Sequence, residues 1–355
     1  MKDGNAILVL EDGTLFEGMP FGKVGEAIGE TVFYTGVVGY QEVMTDPSYA
    51  GTLTVLTYPV IGSYGVNDED HETPQVQPRG VVIKEYSRTE SNFRSTGTLE
   101  DFLAERGVVG ILDVDTRALA VHLRDHGEMK GIIVSGDVDA DAALAKLKAA
   151  ASPWAGDLLS DLLAPETPKP EGKTKHKLAA LNVGLKQSTL ANLAALGCAV
   201  KIVPASTSAE AILKLKTDGL LLAGGPGDPH VAAEVVDTVK ALLGKTPILG
   251  IGLGHQILAL ALGCTVKRMK VGHHGVNYSV KRTADGKGEI SVQHHSFVVD
   301  QDVPAGVEVT YVNVNDGTVE GIRSTEHPAS SVQFHPSNDD WNRPNRVYSE
   351  FLESL

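Results

Sequence analysis

Residues 248–263 read ILGIGLGHQILALALG and place three glycines where an apolar strand passes into a helix. The glycines are Gly250, Gly252 and Gly254, and Gly252 stands at the apex of the predicted turn. A strand, a tight turn and a helix together can display a nucleophile, with the first amides of the helix available to stabilise an oxyanion. Glycine relieves the strain of such a turn but supplies no atom that could attack a substrate. The segment therefore predicts a site of nucleophilic chemistry that lacks its nucleophile.

A dinucleotide site is the alternative interpretation of these glycines, and two observations argue against it. The fingerprint of such sites is G-x-G-x-x-G, followed about twenty residues later by an acid that binds the ribose. The spacing here is G-x-G-x-G, and no Asp or Glu occurs between Asp237 and Asp285.

The other residues capable of chemistry near this turn are a cysteine and two histidine pairs. Cys264 follows Gly252 by twelve residues, beyond a three-turn helix about 15 Å long, so it is too distant to replace the nucleophile. The pairs are His273–His274 and His294–His295. Adjacent side chains diverge in direction on a strand or a helix, so neighbours rarely bind one ion. We expect structural roles for the pairs and no metal site.

The elements that must position these residues fall into two halves of different character. A chain of 355 residues is long enough for two domains. The first half is β-rich, whereas the second alternates short apolar strands with helices, as in a parallel sheet covered on both faces. Residues 164–177, APETPKPEGKTKHK, read as a linker. The predicted fold class is α/β, with domains at 1–163 and 178–355.

Several local patterns give sharper predictions. Asp12-Gly13 lies between two alternating apolar runs and indicates a hairpin. A helix after DVDT is expected to bury a stripe through Leu119, Val121 and Leu123. Asp228 is placed to cap a helix that runs to Gly244. Beyond residue 265 the strands look antiparallel, including the last of them, ASSVQFH.

Composition excludes several classes of protein. The formal net charge of −14 repels phosphate backbones and argues against nucleic acid as a partner. No apolar run approaches the length of a membrane span, and the N-terminal residues carry acids where a signal peptide would be basic. We expect a cytoplasmic protein with no membrane partner.

The second half resembles class I glutamine amidotransferases. The segment GIGLGHQILALALG is similar to their GICLGHQLLALA, with Gly252 in the place of the nucleophilic cysteine. The segment LLAGGPGDP (221–229) resembles their SNGPGDP loop, and MKVGHHGVNYSV and VQFHP continue the likeness.

The first half narrows the resemblance to one family. FYTGVVGYQEVMTDPSYAGTLTVLTYPVIGSYGVN (33–67), SNFRSTGTLEDFL (91–103) and DVDTRAL (113–119) resemble the N-terminal domain of the small subunit of carbamoyl phosphate synthetase. The likeness covers nearly the whole chain in the same order.

This resemblance implies an activity and a partner. In the family the small subunit hydrolyses glutamine with a Cys–His–Glu triad. The ammonia passes to a large subunit, which makes carbamoyl phosphate, a pyrimidine and arginine precursor, from bicarbonate and two ATP. The resemblance thus implies a heterodimer with that large subunit. No cofactor is expected in this chain, because ATP and magnesium belong to the large subunit.

The triad does not carry over intact. Gly252 occupies the nucleophile position, His335 in QFHPS keeps the base, and Ser337 stands where the orienting acid falls. A serine hydroxyl offers an imidazolium no charge partner. The surrounding segment SNDDWNRPN (337–345) also lacks the EASPGP of the family. The resemblance therefore implies a lost glutaminase.

The glutamine pocket is altered as well. The QNHGF loop of the family reads QHHSF here, so His294 replaces an asparagine and Ser296 replaces a glycine. Asn182 and Ser188 replace an Asp and an Asn in a neighbouring segment. The positions that still match glutamine-binding residues are Ser48, Gly225, Gly227, Leu253, Gln256 and Phe297.

Three functions remain open from the sequence. The chain is a glutaminase-inactive small subunit that supports an ammonia-using large subunit, or a scaffold or small-ligand-binding protein outside the synthetase, or a different hydrolase with Ser296 or Ser337 as its nucleophile. Co-purification of the large subunit separates the first from the second, and a serine-directed covalent probe tests the third.

Overall fold

The computed structural model describes residues 5–170, 172–338 and 343–355. Within these residues the chain forms two compact units. The first is the described part of Met1–Gly156 together with Lys270–His274, and the second is the described part of Asp157–Met269 and Gly275–Leu355. The predicted limits at 163 and 178 stay a prediction. Residues 164–170 and 172–175 contain no helix or strand.

The first unit is built around a closed barrel of seven strands, in the order β1-β2-β8-β6-β4-β3-β9. Its strands are β1 Asn5–Leu10, β2 Leu15–Gly22, β3 Glu26–Tyr34, β4 Thr52–Leu56, β5 Val60–Ile61, β6 Gly80–Val82, β7 Glu85–Tyr86, β8 Val109–Leu112 and β9 Met129–Gly136. Its helices are α1 Tyr40–Thr45, α2 Leu99–Glu105, α3 Thr116–His126 and α4 Ala140–Ala149. The short strands β5 and β7 form a separate parallel pair.

The predicted hairpin opens this barrel. β1 and β2 pair antiparallel, with Val9 opposite Leu15 across the Asp12-Gly13 turn. Leu8, Leu53, Ile111 and Ile133 come from four different strands and are fully buried in one apolar cluster. Closure of the sheet leaves these alternating strands without unpaired edges.

The apolar stripe predicted for α3 is wrong at one position. Leu119 and Leu123 are buried, as expected for side chains four residues apart on one helical face. Val121 lies between them in sequence and is 41% exposed. A spacing of two residues turns a helical side chain by about 200°, so Val121 points to the opposite side.

The second unit contains a sheet of nine strands, in the order β11-β10-β12-β13-β18-β17-β16-β14-β15. The strands are β10 His176–Asn182, β11 Cys198–Pro204, β12 Gly219–Ala223, β13 Ile248–Ile251, β14 Val266–Arg282, β15 Gly288–Val299, β16 Val307–Asn313, β17 Val319–Ser324 and β18 Ala329–Val332. The helices are α5 Gln187–Ala195, α6 Ala209–Lys214, α7 Ala233–Leu242, α8 Leu253–Ala261 and α9 Arg346–Glu353.

The parallel part of this sheet follows from its apolar strands. β10, β12 and β13 are buried along nearly their whole length, and separate apolar clusters cover the two faces of the sheet. Such strands need helices on both sides. The predicted α/β fold is confirmed, and β11, β10, β12, β13 and β18 form the parallel part of the sheet.

Two local predictions need correction. β18 was expected to be antiparallel to its neighbours, but it pairs parallel with β13 and antiparallel only with β17. β18 thus joins the parallel part of the sheet to its antiparallel part. Asp228 does not cap a continuous helix: its carboxylate accepts from the His230 amide at the start of a 3₁₀ turn, Pro229–Ala232, which leads into α7.

The helices of the structure are short. Among the described residues, none combines the length and the apolar composition needed to cross a membrane.

Candidate functional site

The glycine turn has the geometry of a strand-to-helix elbow. β13 ends at Ile251, α8 begins at Leu253, and Gly252 joins them with φ 60° and ψ −119°. This backbone conformation is costly for residues with a side chain. The Gly252 amide donates to the carbonyl of Val332 at 3.0 Å, which ties the turn to the end of β18. The structure therefore confirms a tight strand–turn–helix connection here.

Close packing accounts for the flanking glycines. A Cβ at Gly254 would lie 2.1 Å from the carbonyl oxygen of Leu222, and one at Gly250 would lie 2.6 Å from the Gly254 oxygen. Neither position has room for a side chain. Both glycines let α8 approach the sheet, a role that requires no dinucleotide.

Gly252 differs from its neighbours because a Cβ there would clash with no surrounding atom. A Cβ built there meets nothing closer than Gly224 Cα at 3.5 Å, and it would lie 3.7 Å from His335 Cε1. These are ordinary van der Waals distances. A side chain on this turn would thus lie beside the His335 imidazole, which is the relative placement that a nucleophile and its base require.

The backbone of His335 is held by a hydrogen bond to β15. It follows β18, its amide donates to the carbonyl of Val292 in β15 at 2.9 Å, and the residue is buried. The base position therefore has a fixed backbone.

His294 lies next to this base. Its ring centroid is 5.3 Å from that of His335, with 42° between the ring planes. His294 and Ser296 are both buried near the end of β15. The two predicted pocket positions thus lie in the interior of the second unit, and His294 packs against His335, the predicted base.

Two of the matching pocket positions stabilise the scaffold. The Gln256 side-chain amide donates from Nε2 to the Phe297 carbonyl at 2.9 Å and to Gln333 Oε1 at 3.0 Å. Both protons of that amide are therefore committed to β15 and the segment after β18. Phe297 itself is buried.

The loop after β12 lies against the same turn. Gly225 and Gly227 have φ values of 118° and 81°. A Cβ at Gly225 would lie 2.1 Å from the Val183 oxygen and 2.9 Å from the Leu253 Cβ. This loop therefore approaches Leu253 through Gly225 and the Gly252 position through Gly224.

Ser337 and Ser48 are described by their local contacts. Ser337 is exposed, and its carbonyl accepts from Asn345 Nδ2 at 3.2 Å. Residues 339–342 of the altered segment lie outside the described residues. Ser48 belongs to the first unit, where its amide donates to Asp46 Oδ1 at 2.9 Å in a 3₁₀ turn.

Asn182 has a structural role: its Nδ2 donates to the Leu162 carbonyl and its Oδ1 accepts from the Leu185 amide. Ser188, in α5, contributes its carbonyl to Asn192 Nδ2.

A buried polar network around Glu320 was not predicted from the sequence. His295 contacts the Phe297 carbonyl through Nδ1 and Gln293 Oε1 through Nε2, both at 2.9 Å. Gln293 Nε2 donates to Glu320 Oε2, and Asn313 Nδ2 donates to Glu320 Oε1. The fully buried carboxylate of Glu320 thus braces the strand that carries His294 and Ser296. The available signal was an acidic residue between Val319 and Gly321 in the strand VEGIRS.

The thiols of the chain are unsuited to nucleophilic attack. Cys264 follows α8 and is buried, and burial raises the pKa of its thiol to about 11. Burial likewise raises the pKa of the Cys198 thiol to about 11. A thiol needs its anionic form to attack, so both side chains are inert at neutral pH.

His255 lies in the first turn of α8 but faces the interior. It is completely buried, its Nδ1 contacts Ser331 Oγ at 2.9 Å, and burial lowers its pKa to about 3. It is therefore a neutral packing residue at physiological pH.

Two family models match this chain. The model described as carbamoyl-phosphate synthase small chain, CPSase domain, matches residues 8–133. The model of glutamine amidotransferase class-I matches residues 179–352.

Curated relatives extend over nearly the whole chain. The carbamoyl phosphate synthase small chain of Syntrophotalea carbinolica is 43% identical, over 93% of this chain and 92% of its own. That of Oceanobacillus iheyensis is 42% identical, over 98% and 95%. The pyrimidine-specific small chain of Bacillus subtilis is 39% identical, over 98% and 95%.

Proposed function

Since this chain belongs to the carbamoyl phosphate synthase small chain family, we propose that it is a small subunit without glutaminase activity that supports an ammonia-using large subunit. The observation that carries the proposal is the empty position on the Gly252 turn. A side chain there would lie 3.7 Å from His335 Cε1, and glycine leaves that position without an attacking atom. The turn keeps its shape, whereas the nucleophile is absent.

No neighbouring thiol takes over the role. Cys264 and Cys198 are both buried, and burial raises the pKa of each thiol to about 11. Amide hydrolysis through an acyl-enzyme requires a nucleophile in contact with its base. Neither cysteine meets that requirement.

The residues at the predicted acid and pocket positions support the same proposal. Ser337, at the position of the orienting acid, is exposed and has no carboxylate to hold an imidazole in one tautomer. The His294 ring lies against His335, at a position where the resemblance implies an asparagine that contacts glutamine. Loss of the nucleophile, the acid and the substrate contact together supports an inactive site better than one substitution would.

The first unit supports a role in assembly. Its seven-stranded barrel is intact, and the small-chain family model covers residues 8–133. We assign it to binding the large subunit, which would hold ATP and magnesium and make carbamoyl phosphate from bicarbonate and ammonia. The product would feed pyrimidine or arginine synthesis.

Reconstitution with the large subunit of the same source tests this function. Carbamoyl phosphate formation from labelled bicarbonate and ATP is measured with either ammonium chloride or glutamine as nitrogen source. We expect formation with ammonium and only background with glutamine. A related small chain that has the cysteine serves as the positive control for glutamine.

Equal rates with glutamine and ammonium would refute the loss of glutaminase. Failure of the two chains to associate would refute the role as a subunit and favour a scaffold or ligand-binding protein outside the synthase.

A further inference from the structure

Two histidines of the first unit lie one turn apart on α3. His122 and His126 are four residues apart near the end of the helix, a spacing that places both side chains on one helical face. Their ring centroids are 4.4 Å apart, with 30° between the ring planes. His126 is exposed, and His122 is partly exposed. The pair thus differs from histidines adjacent in sequence, such as His273–His274, whose side chains diverge.

A carboxylate from a distant segment faces the same pair. Asp12 lies in the turn between β1 and β2, and its Oδ2 is 2.7 Å from His122 Nε2. Thr14 Oγ1 lies 3.3 Å from the same nitrogen. The carboxylate is itself fixed, because Asp12 Oδ1 accepts from the Thr14 amide at 2.9 Å. The hairpin and the helix therefore bring a carboxylate to the histidine pair at the surface of one unit.

The second imidazole of the pair is not committed to the fold. Among the described residues, no group forms a hydrogen bond with a ring nitrogen of His126. The side chain is exposed, so its ring can change rotamer without displacing packed atoms. His126 is therefore available to a ligand from solution.

The donor atoms determine which ion this group suits. Imidazole nitrogens with a carboxylate oxygen suit Zn²⁺ and related transition-metal ions, whereas Mg²⁺ and Ca²⁺ take oxygen ligands. In zinc proteins, two histidines four residues apart on a helix bind one ion from a common face. The position also favours a cation, because the C-terminal end of a helix is the negative end of its dipole and the chain has a net charge of −14.

We propose that Asp12, His122 and His126 bind one Zn²⁺ or similar transition-metal ion, with water completing the coordination. The ion would replace the hydrogen bond between Asp12 Oδ2 and His122 Nε2. Tetrahedral bonds of about 2.0–2.1 Å would set these two atoms about 3.3 Å apart, against 2.7 Å without the ion. His122 Nε2 would give up its proton and bind through its lone pair.

The third ligand comes from a movement of one side chain. The His126 ring would turn out of its stacked arrangement to bring a nitrogen to the ion. The bound ion would then tie the β1–β2 hairpin to α3 and stabilise the first unit. None of the three ligands is a predicted glutaminase position, so this site stands apart from the proposed function.

Zinc titration of the full chain tests the site. The protein is treated with EDTA, transferred to buffer without metal, and titrated in a calorimeter with ZnCl₂ and, separately, with MgCl₂. His126→Gln removes one ligand and keeps the contact between Asp12 and His122, so it does not challenge the fold. Asp12→Asn removes the carboxylate and keeps a turn of Asn-Gly type, which suits a hairpin as well as Asp-Gly does.

The matched control is His230→Gln. His230 is also exposed, and its Nδ1 lies 2.6 Å from Asp228 Oδ1. No histidine stands three or four residues from it in either direction. The control therefore removes a histidine–aspartate contact of the same kind that lacks a second imidazole.

We expect one Zn²⁺ per chain for the wild type and for His230→Gln, and no binding of Mg²⁺. His126→Gln and Asp12→Asn should each weaken zinc binding at least tenfold, since loss of even an outer-shell partner of a metal site costs about 10–100-fold. Because the ion binds the folded chain, ZnCl₂ should raise the thermal unfolding midpoint of the wild type and much less that of His126→Gln. Without metal, the midpoints of these two proteins should coincide.

Four outcomes would overturn the site. They are the absence of zinc binding by the wild type, equal affinity in the wild type and His126→Gln, an equal loss in His230→Gln and His126→Gln, and equal binding of Mg²⁺ and Zn²⁺. Equal affinity would place the ion elsewhere, and an equal loss would make the response one of exposed histidines in general. None of these outcomes bears on glutaminase activity or on association with a large subunit.

Discussion

The ring of His294 lies 5.3 Å from the ring of His335, centroid to centroid, inside the second unit. His294, which stands where the resemblance implies a substrate-contacting asparagine, therefore packs beside His335, the predicted base. Gly252, at the predicted nucleophile position, lies beside the same imidazole. The proposed loss of glutaminase activity would thus have more than one cause.

The purified chain should release no glutamate from glutamine above the background of the assay. Loss of the nucleophile in a triad enzyme costs on the order of a million-fold in turnover. A coupled glutamate dehydrogenase assay measures this, with the His335→Asn variant purified identically as the control for contaminants. Glutamate release that scales with the wild-type protein and disappears in the variant would contradict the proposed loss.

A cysteine at position 252 should be both tolerated and reactive. The nearest atoms to its Cβ are 3.5 Å away or more, so Gly252→Cys introduces no clash. The positive φ of 60° should cost about 1–3 kcal/mol of unfolding free energy. The new thiol beside His335 should react with iodoacetamide faster than Cys198 or Cys264, whose pKa values burial raises.

Mass spectrometry of alkylated peptides over time measures these rates. The paired variant Gly252→Cys, His335→Ala isolates the contribution of the imidazole and should slow the reaction. If the thiol at position 252 reacts no faster than the buried cysteines, a side chain on this turn is not accessible to the reagent.

The predictions from the sequence are correct where a short local pattern determines the structure. The strand–turn–helix around Gly252 follows from the apolar strand ILGI, a glycine and the mainly apolar run LGHQILALA, all within one short segment. The hairpin at Asp12-Gly13 is equally local. Neither feature depends on residues distant in sequence.

The predictions were wrong or missing where contacts between segments distant in sequence determine the structure. β18 is parallel to β13 because residues 329–332 return to the middle of the sheet, and no feature of ASSVQFH encodes that position. The Glu320 network joins β15, β16 and β17, so its members are separated in sequence by up to 27 residues. The prediction for Val121 was wrong for another reason: an apolar residue was assigned to the buried stripe without regard to its angle on the helix.

The buried histidine of α8 should make the protein sensitive to acid. Burial lowers the pKa of His255 to about 3, against an ordinary value of 6.5 in the unfolded chain. The unfolded state therefore binds this proton more readily, so stability falls as the pH drops below 6.5 and continues to fall towards pH 3. At pH 5 the expected loss relative to pH 7 is roughly 2 kcal/mol.

Urea unfolding of the wild type and of His255→Gln at pH 7 and pH 5 measures this loss. The glutamine cannot titrate, so its change in unfolding free energy should be smaller by about that amount. His126→Gln removes an exposed histidine and should behave as the wild type. Identical pH dependence in the wild type and His255→Gln would show that His255 is not held neutral.

Restoration of the cysteine alone should not restore the enzyme. The thiol of Gly252→Cys has a base in His335, but Ser337, at the predicted acid position, has no carboxylate with which to orient that imidazole. Loss of the orienting acid in comparable triads costs roughly ten-thousand-fold in turnover. His294 and Ser296 add volume where the resemblance implies an asparagine and a glycine, so glutamine should also bind poorly.

The combined variant Gly252→Cys, Ser337→Glu, His294→Asn, Ser296→Gly should therefore recover far more glutaminase activity than the single changes summed. Groups that act as a unit give non-additive effects, because each is useless until the others are present. Steady-state rates and KM for glutamine are measured for the four single variants and the combined one. The pocket changes should appear mainly in KM, and the triad changes in kcat. Near-family turnover from Gly252→Cys alone would mean that His294, Ser296 and Ser337 do not obstruct the reaction, and that the cysteine is the only functional loss.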